Sequence, residues 1–330
     1  MKRFLLSLFA SALFCMACTH PHQLPAELFF ETDTFSPDSL AGAYPIPAFT
    51  SYTTADTALF ETLQGHFTNL SSWNAPIEAI ACSPTTGEPL FASFLTPRYR
   101  VYHFLDTETE ALFEHVMGCL PDYQIRIIAS DEERHNLLIE ASDDRTPPTW
   151  YNYECDSMRV TLLHAPSQAQ LRRHLAPVTP VTFTARDGVI LRGYLTLPRD
   201  KETEDMPHLH AVIIPYPFGS HAFQWEYNSE VQFLANRGLA VLQVEYRDGA
   251  GDSTVPHDEA RRQAVDDVND GAEWLVHSGI ANLQKVFYYV HDDLPYASAD
   301  KVFRDPARDK AIDKRHHIAF YNDMVNKATR

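Results

Sequence analysis

The chain has 330 residues, of which 44 are acidic and 27 basic, for a net charge of −17. That balance excludes a nucleic-acid binder, since phosphates require a positive footprint, and the length suits two modest domains. After the first eighteen residues no long apolar run occurs that could cross a bilayer as a helix.

Residues 1–18 read as a signal segment, with Lys2 and Arg3, an apolar core over 4–16, then Ala17 and Cys18. The core is too short for a permanent span and has the cleavable form. A cysteine after a small residue here resembles the bacterial lipoprotein signal. The resemblance implies acylation of Cys18 as the mature N-terminus. Thr19 rather than aspartate after it implies the outer membrane, facing the periplasm. The plain alternative is ordinary secretion with Cys18 unmodified. Residues 19–50, rich in Pro, Ser and Thr without a steady period, are expected to be a tether. Cys82, Cys119 and Cys155 show no C-x-x-C spacing, so no zinc site is expected, and at most one disulfide, with buried free thiols favoured.

From Pro76 to about Pro166 the pattern is β-like. A helical segment at 108–117 ends at Gly118. Segments 123–129, 136–140, 150–153 and 158–163 then read as short strands with polar turns between them. Four strands in about forty residues make one propeller blade. A closed propeller needs at least ~4 blades of ~40 residues, and only about 130 residues lie between the tether and Val181. The propeller is therefore expected to be incomplete, packed as an open sheet or paired with another chain.

Asp187-Gly188 then separates two alternating runs, 181–186 and 189–197, which is a strong hairpin signal. An apolar strand at 211–216, a helix at 229–237 stopped by Gly238, a strand at 239–246, a helix at 258–278 and a strand at 286–290 follow. Strands alternating with helices predict crossover units, with 211–216, 239–246 and 286–290 side by side in a parallel sheet. The charged run 304–315 reads as an exposed helix face.

Several patches resemble the prolyl oligopeptidase family in order and spacing. They are Asp187-Gly188, the 193–198 strand, the stretch 232–247, Asp266-Asp267 and the stretch 272–276. The resemblance implies serine peptidases of short peptides, with a β-propeller ahead of an α/β-hydrolase domain. The expected fold class is therefore α/β: a partial α/β-hydrolase parallel sheet preceded by an incomplete β-propeller-like all-β segment. The expected division is a signal at 1–18, a tether at 19–50, the partial propeller at 51–175 and a truncated hydrolase domain at 176–330.

An α/β-hydrolase carries Gly-x-Ser-x-Gly after the strand that ends here at Val290, because the strained turn must lift the serine over the sheet. This chain instead reads His291, Asp292, Asp293, Leu294, Pro295, Tyr296. The motif occurs nowhere else in it, and no glycine follows Gly279. Residues 287–293 resemble the family's late strand ending in Asp-Glu-Gly-His, and 318–325 its final helix. The resemblance thus implies that the intervening segment is missing, with Pro295-Tyr296 standing where the family has Gly-His. Loss of that segment is expected to leave Trp225, Phe233 and Trp274 partly exposed.

The remaining chemical candidates are weak. Ser253 follows a sheet strand with His257 four residues on, yet 251–255 lacks the elbow's second glycine. Ser220 and His221 point to opposite faces of an extended segment. His291-Asp292-Asp293 could gather a metal but reads more simply as a solvated turn, and His316-His317 closes the charged run. Neither a metal nor a cofactor is expected. Three readings follow: a surface-anchored interaction or scaffold protein that has lost catalysis, with short peptides or another envelope protein as partner, a weak serine hydrolase acting on short peptides from a rearranged site, and the product of a damaged gene. The first is preferred, since the nucleophile and base are both missing from their expected places.

Overall fold

The computed structural model describes residues 23–31, 33–53, 56–64, 77–199, 209–217, 224–247, 256–290, 294–297, 301–304 and 314–329. These fall into two compact units. One comprises 33–169 with 225–227; the other takes in the described parts of 1–32, 170–224 and 228–330.

The first unit is built mainly of two antiparallel sheets. Strand β1 (Ile46–Pro47) joins one sheet and β2 (Thr50–Tyr52) the other. The β2 sheet continues through β3 (Ile77–Cys82), β4 (Pro89–Leu95) and β5 (Arg100–Phe104) as a meander. Helix α1 (Thr107–Cys119) follows, started by the Asp106 carboxylate, which accepts from the Thr109 N–H at 2.7 Å. The five-stranded sheet runs β1-β6-β7-β8-β9, with β6 (Gln124–Ser130), β7 (Asn136–Asp143), β8 (Thr146–Glu154) and β9 (Arg159–His164). These last four strands are the expected blade. The β2–β5 meander makes a second, whose short strands lack clean alternation. Two such sheets are half the ~4 blades of the smallest closed propeller. The core gathers Phe91, Phe113, Ile125, Ile139 and Tyr153.

The second unit carries one six-stranded sheet in the order β10-β11-β13-β12-β14-β15. Its strands are β10 (Val178–Thr184), β11 (Ile190–Thr196), β12 (Leu209–Pro217), β13 (Ala240–Tyr246), β14 (Ala281–Val290) and β15 (Val302–Arg304). The β10–β11 and β11–β13 pairs are antiparallel; β13, β12, β14 and β15 run parallel. The expected partial α/β-hydrolase sheet is thus formed, with α2 (Ser229–Asn236) and α3 (His257–His277) as its crossovers. Strand β15 had no clear signal, being three residues long.

Local chemistry fixes these connections. Gly188 adopts φ +89° after the Ala185 turn, and Ala185 N–H donates to Val189 O at 2.8 Å. The hairpin therefore uses a three-residue loop with glycine in the left-handed position. Helix α2 stops at Gly238, whose φ is +88°, with Leu239 N–H reaching back to Leu234 O.

Helices cover both sheet faces. Ala264, Val268, Ala272 and Leu275 of α3 pack against Ile213, Leu242, Val244 and Tyr288. Alternate residues point the other way, where Val231, Phe233 and Leu234 of α2 are buried and α4 (Lys314–Ala328) buries Tyr321, Met324 and Ala328.

Two expectations need correction. Phe233 is 0% exposed and Trp225 7% exposed, whereas Trp274 stays partly exposed as expected and stacks on Phe183 at 5.7 Å. The tether also differs over its described residues. Phe29 is buried edge-on to Phe233 at 5.6 Å, and Leu24 N–H donates to Asn236 Oδ1 at 2.9 Å. Farther on, Phe35 stacks on His164 at 4.0 Å. A compositional reading weighs Pro, Ser and Thr and overlooks these aromatic anchors. Among the described residues Cys82, Cys119 and Cys155 are free, and Cys119 is exposed rather than buried.

Candidate functional site

Ligands of open α/β sheets bind outside the carboxyl ends of the strands. Here β12 ends at Pro217, β13 at Tyr246 and β14 at Val290. The segments that follow, 218–223, 248–255 and 291–293, lie outside the described residues. They contain Ser220, His221, Ser253, His291, Asp292 and Asp293, and Cys18 is likewise outside. His257 opens α3 and is exposed. His316 and His317 lie in the first turn of α4.

What is built at this rim is a set of closed ion pairs. Arg247, just past β13, donates from Nε to Asp267 at 2.9 Å and from Nη1 to Asp187 at 2.8 Å. Its backbone N–H also reaches Asp267, at 2.9 Å. The Asp267 hydrogen bond, set against burial and joined by Asp187, raises the already high guanidinium pKa. Arg247 in turn holds the Asp187 carboxyl below its usual range, helped by the Val189 N–H. Arg186 grips Asp270 through its backbone N–H and Nε, both at 2.8 Å. These guanidiniums tie the β10–β11 turn and the end of β13 to α3, so they position the rim.

Tyr296, standing where the resemblance places a general base, is 4% exposed and stacks on Tyr288 at 6.0 Å with 5° between the rings. The Tyr288 hydroxyl donates to Asn269 Oδ1 at 2.9 Å, and its pKa is pushed up to about 12 by burial and then by Glu273. The position is a packed aromatic contact.

On the opposite sheet face lies a cluster that sequence reasoning missed. The Tyr321 hydroxyl donates to Glu230 Oε1, and the Tyr289 hydroxyl lies 2.8 Å from that of Tyr321 and 3.4 Å from Glu230 Oε1. Burial first, then the Glu230 charge, raises the Tyr321 pKa. Phe30 stacks on Tyr321 at 4.9 Å. Residues 230, 289 and 321 are far apart in sequence. The available signal was the pair Tyr288-Tyr289 on a strand, where neighbours must face opposite ways.

Comparison with known proteins gives these pieces a lineage. No family model matches the chain. Dipeptidyl aminopeptidase BIII of Pseudoxanthomonas mexicana is 26% identical over 229 residues, covering 66% of this chain and 32% of the relative. The chain is related to the prolyl oligopeptidase family. Among solved structures of this family, dipeptidyl peptidase 4 of Porphyromonas gingivalis is 13% identical with a TM-score of 0.49, covering 67% of this chain and 32% of that one. Prolyl oligopeptidase B from Galerina marginata is 15% identical with a TM-score of 0.46, covering 65% and 34%. The chain spans about a third of the length of these prolyl oligopeptidase relatives.

Proposed function

We propose that the protein is a non-catalytic relative of the prolyl oligopeptidases, held in the bacterial envelope by an acylated Cys18 and working as a binder of short peptides or of another envelope protein. The observation that carries this reading is the sequence after Val290, which has neither Gly-x-Ser-x-Gly nor any glycine. Without a serine nucleophile and its base, only binding and oxyanion effects remain to speed hydrolysis. The burial of Tyr296 against Tyr288 supports the same reading.

The test is labelling of the purified protein with a fluorophosphonate serine probe, beside turnover of proline- and alanine-containing peptides. Neither labelling nor turnover above background is expected. Labelling that disappears in Ser253→Ala would make the protein a weak serine hydrolase instead.

A further inference from the structure

The all-β unit contains a cavity of about 370 Å³, a size typical of small-ligand sites. Its polar lining includes Glu78, Arg100 and Arg126, and its apolar lining includes Phe49, Phe91 and Phe113. Arg100 and Arg126 thus line it beside Glu78, and Arg126 lies against a second carboxylate, Glu140.

Most of the polar wall is already committed. Arg100 places Nε and Nη2 on the two oxygens of Glu78, each at 2.7 Å, and the Ser93 hydroxyl adds a 3.2 Å bond to the same carboxylate. The Tyr102 hydroxyl donates to Ile125 O at 2.7 Å. Arg126 is different. It is exposed, and among the described residues its Nη1 donates to Glu140 Oε1 at 3.1 Å. A guanidinium carries five donors in a planar fork, so the edge formed by Nε and Nη2 suits one bidentate oxyanion. The nearby Glu78 charge disfavours a dianion such as phosphate. The aromatic lining calls for an apolar body.

We propose that this cavity binds a small monocarboxylate with an apolar or aromatic body, such as the free C-terminal residue of a short peptide, with Arg126 as the carboxylate anchor. This deepens the non-catalytic reading by naming a ligand class, and it rests on that reading only in requiring no hydrolysis.

The probes are N-acetyl-phenylalanine and its carboxamide, titrated into the full chain by calorimetry. The acid should bind at least about tenfold more tightly than the amide, the range of one charge-assisted contact. Arg126→Gln should bring the acid down to the amide's level with thermal unfolding unchanged, and Glu140→Gln, which frees Nη1, should tighten the acid. Equal affinity for the two probes, no binding of the acid, or undiminished affinity in Arg126→Gln would overturn the proposal. So would weaker binding in Glu140→Gln. Hydrolysis does not enter this readout, so either result leaves the fluorophosphonate test to stand or fall separately.

Discussion

Arg247 and Asp267 form a two-pronged ion pair whose carboxylate is 0% exposed, and the Arg247 backbone N–H completes it at 2.9 Å. The pair fixes the place where the chain leaves β13 to the side of α3 that packs beneath the sheet. A charge buried to this extent is tolerated only while its partner and hydrogen bonds are present.

Arg247→Ala should therefore cost about 3–5 kcal/mol, because it leaves Asp267 buried and unpaired. Urea unfolding of Arg247→Ala, Asp267→Ala and the double variant measures it. The double variant should recover part of the loss. Additive losses would show that the two side chains act independently.

Gly271 tests the packing of α3 on the sheet. A Cβ there would meet Val244 Cγ2 at 2.9 Å and Phe183 Cζ at 3.3 Å. Gly271→Ala should destabilise by about 1–3 kcal/mol through overpacking. Gly118→Ala, in a helix with nothing within 4 Å of the new atom, should instead be neutral or stabilising by about 1 kcal/mol. Thermal unfolding should show a lowered midpoint for Gly271→Ala and none for Gly118→Ala.

The contrast shows what the sequence made legible. The apolar runs of β12 and β13, the Gly238 stop and the Asp187-Gly188 turn are local signals, and each fell where local chemistry put it. The α3 stripe at Ala264, Val268, Ala272 and Leu275 is likewise readable from its spacing. The Glu230–Tyr289–Tyr321 cluster and the Glu78–Arg100 pair depend on which distant elements meet, which no window reveals. At the candidate site the missing elbow was visible directly, whereas the role of Tyr296 as a core residue needed its stack on Tyr288.

Acid should destabilise the protein through Glu78 and Asp187. Burial pulls the Glu78 pKa up, but the Arg100 hydrogen bond and charge outweigh it and leave it below 4.5. Arg247 likewise holds Asp187 below 3.8. With both folded-state values lowered, the unfolded chain takes up protons first. Their contribution is complete above 4.5 and is lost as pH falls through the folded values. The melting temperature should drop across this window, less steeply in Glu78→Gln. An identical slope in that variant would remove Glu78 from the account.

Acylation is tested at Cys18. Metabolic labelling with palmitate should mark the wild-type protein and leave Cys18→Ser unmarked, and only the wild type should fractionate with membranes. A wild-type protein released freely from cells would defeat the lipid anchor.

The last prediction separates a docked N-terminal segment from a loose tether. Phe29 is 1% exposed and meets Phe233 edge-on, while Phe30 lies 5.4 Å from the same ring and stacks on Tyr321. Arg237 adds a hydrogen bond to Leu24 O at 2.8 Å and lies 4.4 Å from the Phe233 ring. A tether contributes nothing to the fold, so truncating its aromatics would leave stability unchanged. A docked segment covers apolar surface that would otherwise meet water, and removing a buried phenylalanine costs about 3–5 kcal/mol. Phe29→Ala should therefore lower the urea midpoint by a shift of that size, and Phe29→Leu, which keeps most of the volume, by much less. Full stability in Phe29→Ala would show that the segment stays free of the sheet's helices in solution.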